Sequence, residues 1–198
     1  MNSNARVRST SKRQPKPPVP SGLVRIIGGT LRSRRIAVPA RPGLRPTPDR
    51  VRETLFNWLG QELDGLVCLD LFAGSGALGF EAASRGARRV VMVDSDHLAI
   101  ESLHANRERL NAAQVEIVQA GALAFLATGR RSFDVVFLDP PFRQNLLPEV
   151  LAALPRALAP EARVYVEAPE PVVAPGWRAL KTGRAGKVHF QLMQRSNA

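Results

Sequence analysis

The 198-residue chain has room for one well-buried α/β domain with a short appendage, and it has no apolar run near the ~20 residues of a membrane helix. Its one cysteine excludes an internal disulfide framework and fits a reducing, cytoplasmic setting. The net charge of +11 is uneven: residues 1–50 hold 12 of the 28 Lys and Arg and one of the 17 Asp and Glu, leaving 16 of each in residues 51–198. A basic excess confined to one quarter of a chain is the footprint of contact with a polyanion.

Residues 1–21 are polar, basic and proline-rich without apolar periodicity, and read as a disordered tail. Residues 22–62 predict a small hairpin and helix. Leu23–Ile27 and Leu31–Val38 flank a Gly28-Gly29 turn. The first strand carries Arg25; alternation puts Arg32 and Arg34 on one face of the second, with Arg35 adjoining, a pattern suited to phosphates. Thr47 then reads as a helix N-cap with Pro48 at the first helical position, and Val51, Leu55, Trp58 and Leu59 form the buried stripe. Arg45, Arg50 and Arg52 surround that helix start.

Residues 63–198 alternate strand and helix. Strands are expected at 66–71, 89–94, 114–118, 133–138 and 162–167, and helices near 76–85, 96–110, 121–128 and 145–158. A closing hairpin follows at 177–182 and 187–194. Each strand-to-strand span suits a right-handed crossover. The expected fold is a Rossmann-like α/β sheet, mostly parallel with an antiparallel edge strand, preceded by the hairpin and helix.

The glycine-rich stretch Asp70-Leu71-Phe72-Ala73-Gly74-Ser75-Gly76-Ala77-Leu78-Gly79 ends the first strand of this sheet and opens a helix. Its glycines match the loose G-x-G-x-x-G pattern of dinucleotide enzymes. Asp70, four residues before the first glycine, is a poor neighbour for a pyrophosphate but suits a positively charged ligand such as a methionine-derived ammonium. The stretch therefore resembles the first motif of S-adenosylmethionine methyltransferases more than a NAD fingerprint. Asp94, at the end of the second strand, is placed to accept ribose hydroxyls, a feature that both enzyme classes share. Asp96 reads as the N-cap of the next helix. Cys68 reads as a small core residue. His97, His104 and His189 have neither metal-ligand nor triad spacing, so no metal is expected.

After an apolar strand, Asp139-Pro140-Pro141-Phe142 enters the same crevice. The prolines fix φ and lack N–H groups, leaving carbonyl acceptors without a competing donor. The Asp139 carboxylate and Pro140 carbonyl can accept N–H bonds from an exocyclic base amine, while Phe142 stacks on the base for about 1–3 kcal/mol. These residues resemble the (Asn/Asp/Ser)-Pro-Pro-(Tyr/Phe/Trp) motif of amino-methyltransferases. Together with Arg45-Pro-Thr-Pro-Asp-Arg-Val-Arg-Glu-Thr-Leu-Phe-Asn57 and Tyr165-Val-Glu167, in this order, the chain from about Val24 resembles the RsmD-type 16S rRNA guanine-N2 methyltransferases.

The resemblance implies methyl transfer from S-adenosylmethionine to one guanine N2 amine, on assembled or assembling small subunits. It implies a cofactor pocket of Asp70, Phe72, Ala73, Gly74, Ser75, Gly76, Asp94 and Ser95, with Gly121 and Ala122 toward the adenine. Methyltransferases often place an acid or amide against the adenine where this chain has Gly121. Asp139, Pro140, Pro141 and Phe142 would hold the base, and Arg25, Arg32, Arg34, Arg35, Arg45 and Arg50 the RNA. Nothing in the sequence demands more than a monomer. The rival readings are a DNA adenine-N6 or cytosine-N4 methyltransferase, a NAD-dependent oxidoreductase, and a non-catalytic rRNA-binding factor. The oxidoreductase leaves Asp139-Pro-Pro-Phe142 idle, and the binding factor leaves the cofactor loop idle.

Overall fold

The computed structural model describes residues 20–39, 47–129 and 132–196; the expected tail up to residue 19 and Arg45 lie outside them. Strands β1 (Pro20–Arg25) and β2 (Arg35–Pro39) pair antiparallel, and helix α1 (Asp49–Leu59) follows. The main sheet is built from β3 (Val67–Asp70), α2 (Ala77–Ser84), β4 (Arg89–Asp94), α3 (His97–Leu110), β5 (Val115–Gln119), α4 (Ala122–Ala127), β6 (Phe133–Leu138), α5 (Leu147–Ala153), β7 (Leu158–Ala168), β8 (Trp177–Ala185) and β9 (Val188–Arg195). Its strand order is β5-β4-β3-β6-β7-β9-β8. The pairs from β5 to β7 are parallel, and β9 runs antiparallel to both neighbours. The expected Rossmann-like sheet is therefore present, and the expected closing hairpin, β8 and β9, forms its antiparallel edge.

Period-two alternation sorts the strand residues onto two faces. Cys68, Val90, Met92, Val135 and Phe137 pack with residues of α1, α2 and α3. Leu69, Val91, Val93, Val136 and Leu138 pack with residues of α4 and α5. Cys68 is fully buried and burial pushes its thiol up to about 12, so it is the core residue that its position suggests. After β3 the chain goes to β4 on one side and returns at β6 on the other. That reversal opens a crevice beyond the carboxyl ends of β3 and β6.

The N-terminal unit is fastened to the helices over the sheet by Asn106 and Ser102 on Ala37, by Ser84 on the loop after β1, and by one fully buried carboxylate. Glu81 of α2 has no solvent exposure and accepts the backbone N–H groups of Ile27 and Gly28, each at 2.8 Å. It also accepts Arg52 Nη1 of α1 at 3.1 Å and Arg85 Nε at 2.9 Å. Arg52, equally buried, spends its remaining donors on Thr47 O, Arg25 O and Asp49. One residue further along the loop, Gly29 has φ +72°, and a Cβ there would lie 1.8 Å from the Ser84 carbonyl. The loop backbone thus lies directly on α2.

This docking corrects three expectations. Residues 26–34 form a loop rather than strand and turn, so Arg32 and Arg34 do not share a strand face; Ser33 has φ +68° within it. Arg52 belongs to the buried network and not to a surface cluster. Thr47 does not cap α1, whose N-cap is Pro48; its hydroxyl donates instead to Glu167 at 3.0 Å, across 120 residues. Elsewhere the boundaries fall close to expectation. Asp96 caps α3 by accepting the Ala99 N–H at 3.0 Å. The helix expected over 145–158 is shorter, because after Ala153 the chain tightens into a 3-10 turn containing Pro155.

Removing one member of the buried pair strands the other's charge. Glu81→Ala is expected to cost roughly 3–5 kcal/mol, read by urea denaturation. Arg52→Met combined with Glu81→Leu should cost less than the two single changes added together; strict additivity would mean that the two side chains do not act as a pair.

Candidate functional site: a row of carboxylates at the sheet's switch point

Four acids line the carboxyl ends of adjacent strands. Asp94 ends β4, Asp70 ends β3, Asp139 directly follows β6, and Glu167 is the penultimate residue of β7. Among the described residues, no ion pair is recorded to Asp70, Asp139 or Glu167. Burial therefore acts on these carboxyls unopposed by any partner cation.

Asp70 is 3% exposed and accepts the Gly79 N–H at 3.0 Å. Burial is the main cause that pushes its carboxyl up to about 7; the Asp94 charge adds to the rise, while N–H bonds from Gly79 and Phe72 oppose it. Gly79 allows this contact: a Cβ there would lie 2.4 Å from Met92 Cε and 3.2 Å from Asp70 Oδ2. The loop from Phe72 to Gly76 is closed by hydrogen bonds from Ala73 N to Val93 O and from Gly76 N to Ala73 O. Ser75 is buried, and its hydroxyl accepts the Ala77 N–H at 3.3 Å. Asp94 holds the loop from the next strand: Oδ2 accepts Gly74 N–H and Oδ1 accepts Asp96 N–H, both at 2.8 Å. Ser95 beside it is exposed. Gly121, which precedes α4, is exposed, and a Cβ there would meet nothing within 4 Å, while Ala122 is buried. The predicted cofactor residues thus converge on one rim of the crevice.

The Asp139 segment forms the other wall. Pro140 is buried, Pro141 has φ −58° and ψ 112°, and Phe142 opens a 3-10 turn with 43% of its surface exposed. Asp139 accepts no hydrogen bond from any described residue, so its carboxylate oxygens are uncommitted. Burial, then the charges of Glu167 and Asp70, hold its carboxyl well above the ordinary carboxylate range. Glu167 and Thr47 were not predicted as site residues. Glu167 Oε1 accepts Thr47 Oγ1 at 3.0 Å and the Tyr165 hydroxyl at 2.9 Å. The signal in the sequence was the Tyr165-Val-Glu167 spacing, which puts a hydroxyl and an acid on one face of a strand that ends at the crevice.

The predicted RNA-contacting arginines among the described residues fall into two groups. Arg50 is exposed in the first turn of α1, three residues beyond Thr47. Arg25 pairs with Asp49 at 3.6 Å with its side chain more than half exposed. Arg34 Nη2 instead donates to Arg109 O at 2.8 Å, and Arg109 returns a bond to Arg35 O, near the C-terminal end of α3. Arg32 lies in the same loop. Since α3 has 14 residues, that end lies on the order of 20 Å from the crevice. The structure does not gather all the predicted arginines at one mouth.

Residues 24–194 match the family described as Conserved hypothetical protein 95. The chain is 45% identical over 181 residues to ribosomal RNA small subunit methyltransferase D of Escherichia coli K12, covering 88% of this chain and 91% of that protein. It is 42% identical to the Haemophilus influenzae protein of the same name, covering 89% and 96%. The solved structure titled "Putative methyltransferase yhhF from Escherichia coli" superposes with a TM-score of 0.80 at 44% identity, covering 89% of this chain and all of that one. A family match over residues 24–194 and identities of 45% and 42% across nearly the whole chain are decisive: the chain belongs to the RsmD family of methyltransferases.

Proposed function

We propose that the protein transfers a methyl group from S-adenosylmethionine to the exocyclic N2 amine of a guanine in small-subunit ribosomal RNA. It acts in the cytoplasm, as a monomer, on assembled or assembling subunits. One observation carries the reading: acceptors at Asp139 that take no hydrogen bond from a described residue, stiffened by Pro140 and Pro141, lie across from a glycine loop whose buried acid has no partner cation among the described residues. The relatives' name, ribosomal RNA small subunit methyltransferase D, supports the polymer.

The donor set fits the cofactor. Asp70 offers a carboxylate to a cationic group, Asp94 suits ribose hydroxyls, and the open space at Gly121 leaves the adenine to backbone groups there and at Ala122. When bound, S-adenosylmethionine supplies a methyl group on an already activated sulfonium. The chain's own contribution is positioning. Asp139 and the Pro140 carbonyl accept the amine's N–H bonds and aim its lone pair, and Phe142, half exposed at the mouth, stacks on the base. A base taken from a helix costs a few kcal/mol to unstack, which Arg25 and Arg50 help to offset by holding the backbone around it.

Asp139→Ala is expected to lower turnover on small subunits by about 10²-fold or more, while calorimetry finds S-adenosylmethionine affinity within a few-fold of the parent. Near-normal turnover would remove Asp139 from the mechanism. The Asp70 carboxyl gives a second test. Its folded value, about 7 against an ordinary 3.8, means that this group lowers stability as pH rises through that window. A cation that favours the ionised form must then expel a proton. Cofactor affinity should rise between pH 6 and 8 with proton release at pH 6, and Asp70→Asn should flatten the dependence. A parent enzyme with pH-independent affinity would contradict this.

A further inference from the structure

Glu167 carries no role in the reading above, yet its placement is costly. It is 5% exposed, and among the described residues no ion pair reaches it. Both of its hydrogen bonds end on Oε1, from Thr47 and Tyr165. Among the described residues, no buried side-chain oxygen or nitrogen lacks a partner, so Oε2, which accepts no hydrogen bond, reaches open space at the strand end. Residues before it pair in register with β6, Leu138 against Val166, and this brings Asp139 and Glu167 to neighbouring positions at the crevice. A leucine or valine would fill a core position without the penalty of a desolvated charge.

Thr47 gives the arrangement reach. It sits just before α1, its carbonyl accepts Arg52 Nε at 3.2 Å, and three residues later Arg50 stands exposed. The chain that presents the RNA-facing arginine is thus hydrogen-bonded to the acid beside Asp139. We propose that Glu167 is a positioning residue for methyl transfer: it holds the start of α1 against the amine clamp through Thr47 and stands beside Asp139 at the strand ends. This rests on the reading of Asp139 as the acceptor of the target amine.

The groups facing Asp139 are Glu167 and Tyr165 from β7 and Asp70 from β3, with Asp94 behind Asp70 on β4. From α1, Arg52 is committed to Glu81, Asp49 and two backbone carbonyls, and Arg50 is exposed. Tyr165 is held neutral by burial and the adjacent Glu167 charge, so it acts as a donor. Neutralising Glu167 removes one of the two charges that oppose ionisation of Asp139. An ionised Asp139 is then available at lower pH.

Two substitutions separate charge from tether. Glu167→Gln keeps an oxygen for Thr47 and Tyr165 but removes the charge, while Thr47→Val keeps the carboxyl and removes the hydroxyl. The measurement is kcat against pH on small subunits, with cofactor affinity and melting temperature as controls for folding. In Glu167→Gln the acid limb should move down by about one pH unit. In Thr47→Val, which removes a hydrogen bond that favours the ionised Glu167, the limb should move less than in Glu167→Gln while kcat falls about tenfold and cofactor affinity holds. A Glu167→Gln profile that superimposes on the parent overturns the proposal, whatever Thr47→Val does. If Asp139→Ala is inactive while that profile is unchanged, only the role of Glu167 falls; if Asp139→Ala is active, the reading of the amine clamp falls first.

Discussion

The Glu81 carboxylate is the interaction on which the rest of the structure depends. It lies on the helix that begins at the glycine loop, and its oxygens are shared among the loop after β1, α1 through Arg52, and Arg85 of its own helix. A buried charge is tolerable only when fully hydrogen-bonded, so these segments have one low-energy arrangement. The outcome is a single body in which the helix carrying Gly79, the donor to Asp70, is also the platform for the N-terminal hairpin. The start of α1, with Arg50, is thereby fixed relative to the crevice.

Charge at the crevice follows a different rule. Glu81 is matched by two arginines, whereas Asp70, Asp139 and Glu167 have no matching cation among the described residues. Burial raises all three carboxyls. Such a cluster is unfavourable for the empty protein and favourable toward a ligand that brings positive charge or N–H donors. A sulfonium-bearing amino acid derivative and an exocyclic amine supply both. On the proposed reading these strands would bring the two ligands together, since Asp70 ends β3 and Asp139 follows β6, on either side of the reversal in strand order.

Much of this was legible in the sequence because it is local. The glycine loop, the Asp96 cap, the strand–helix alternation and Asp139-Pro-Pro-Phe142 each depend on residues a few positions apart, where periodicity and backbone preference speak directly. What escaped is long-range. Thr47 is a good N-cap by composition, but Glu167, 120 residues away, takes its hydroxyl. Arg52 belongs by spacing to a basic cluster, but Glu81 draws it inside. Arg32 and Arg34 alternate as if on a strand, but Glu81 and Ser84 hold the adjoining backbone to α2 and open a loop. In each case a tertiary partner prevailed over a local preference worth about 1 kcal/mol.

The central claim is a reaction at one atom of one base, and it is tested most directly by locating the methyl group. Small subunits lacking the endogenous modification, free small-subunit rRNA and duplex DNA would be incubated with isotope-labelled S-adenosylmethionine, digested, and their nucleosides separated by mass. The account predicts label on N2-methylguanosine from the subunits and none in DNA. Label on adenine N6 or cytosine N4 of the DNA, with the subunits untouched, would contradict it.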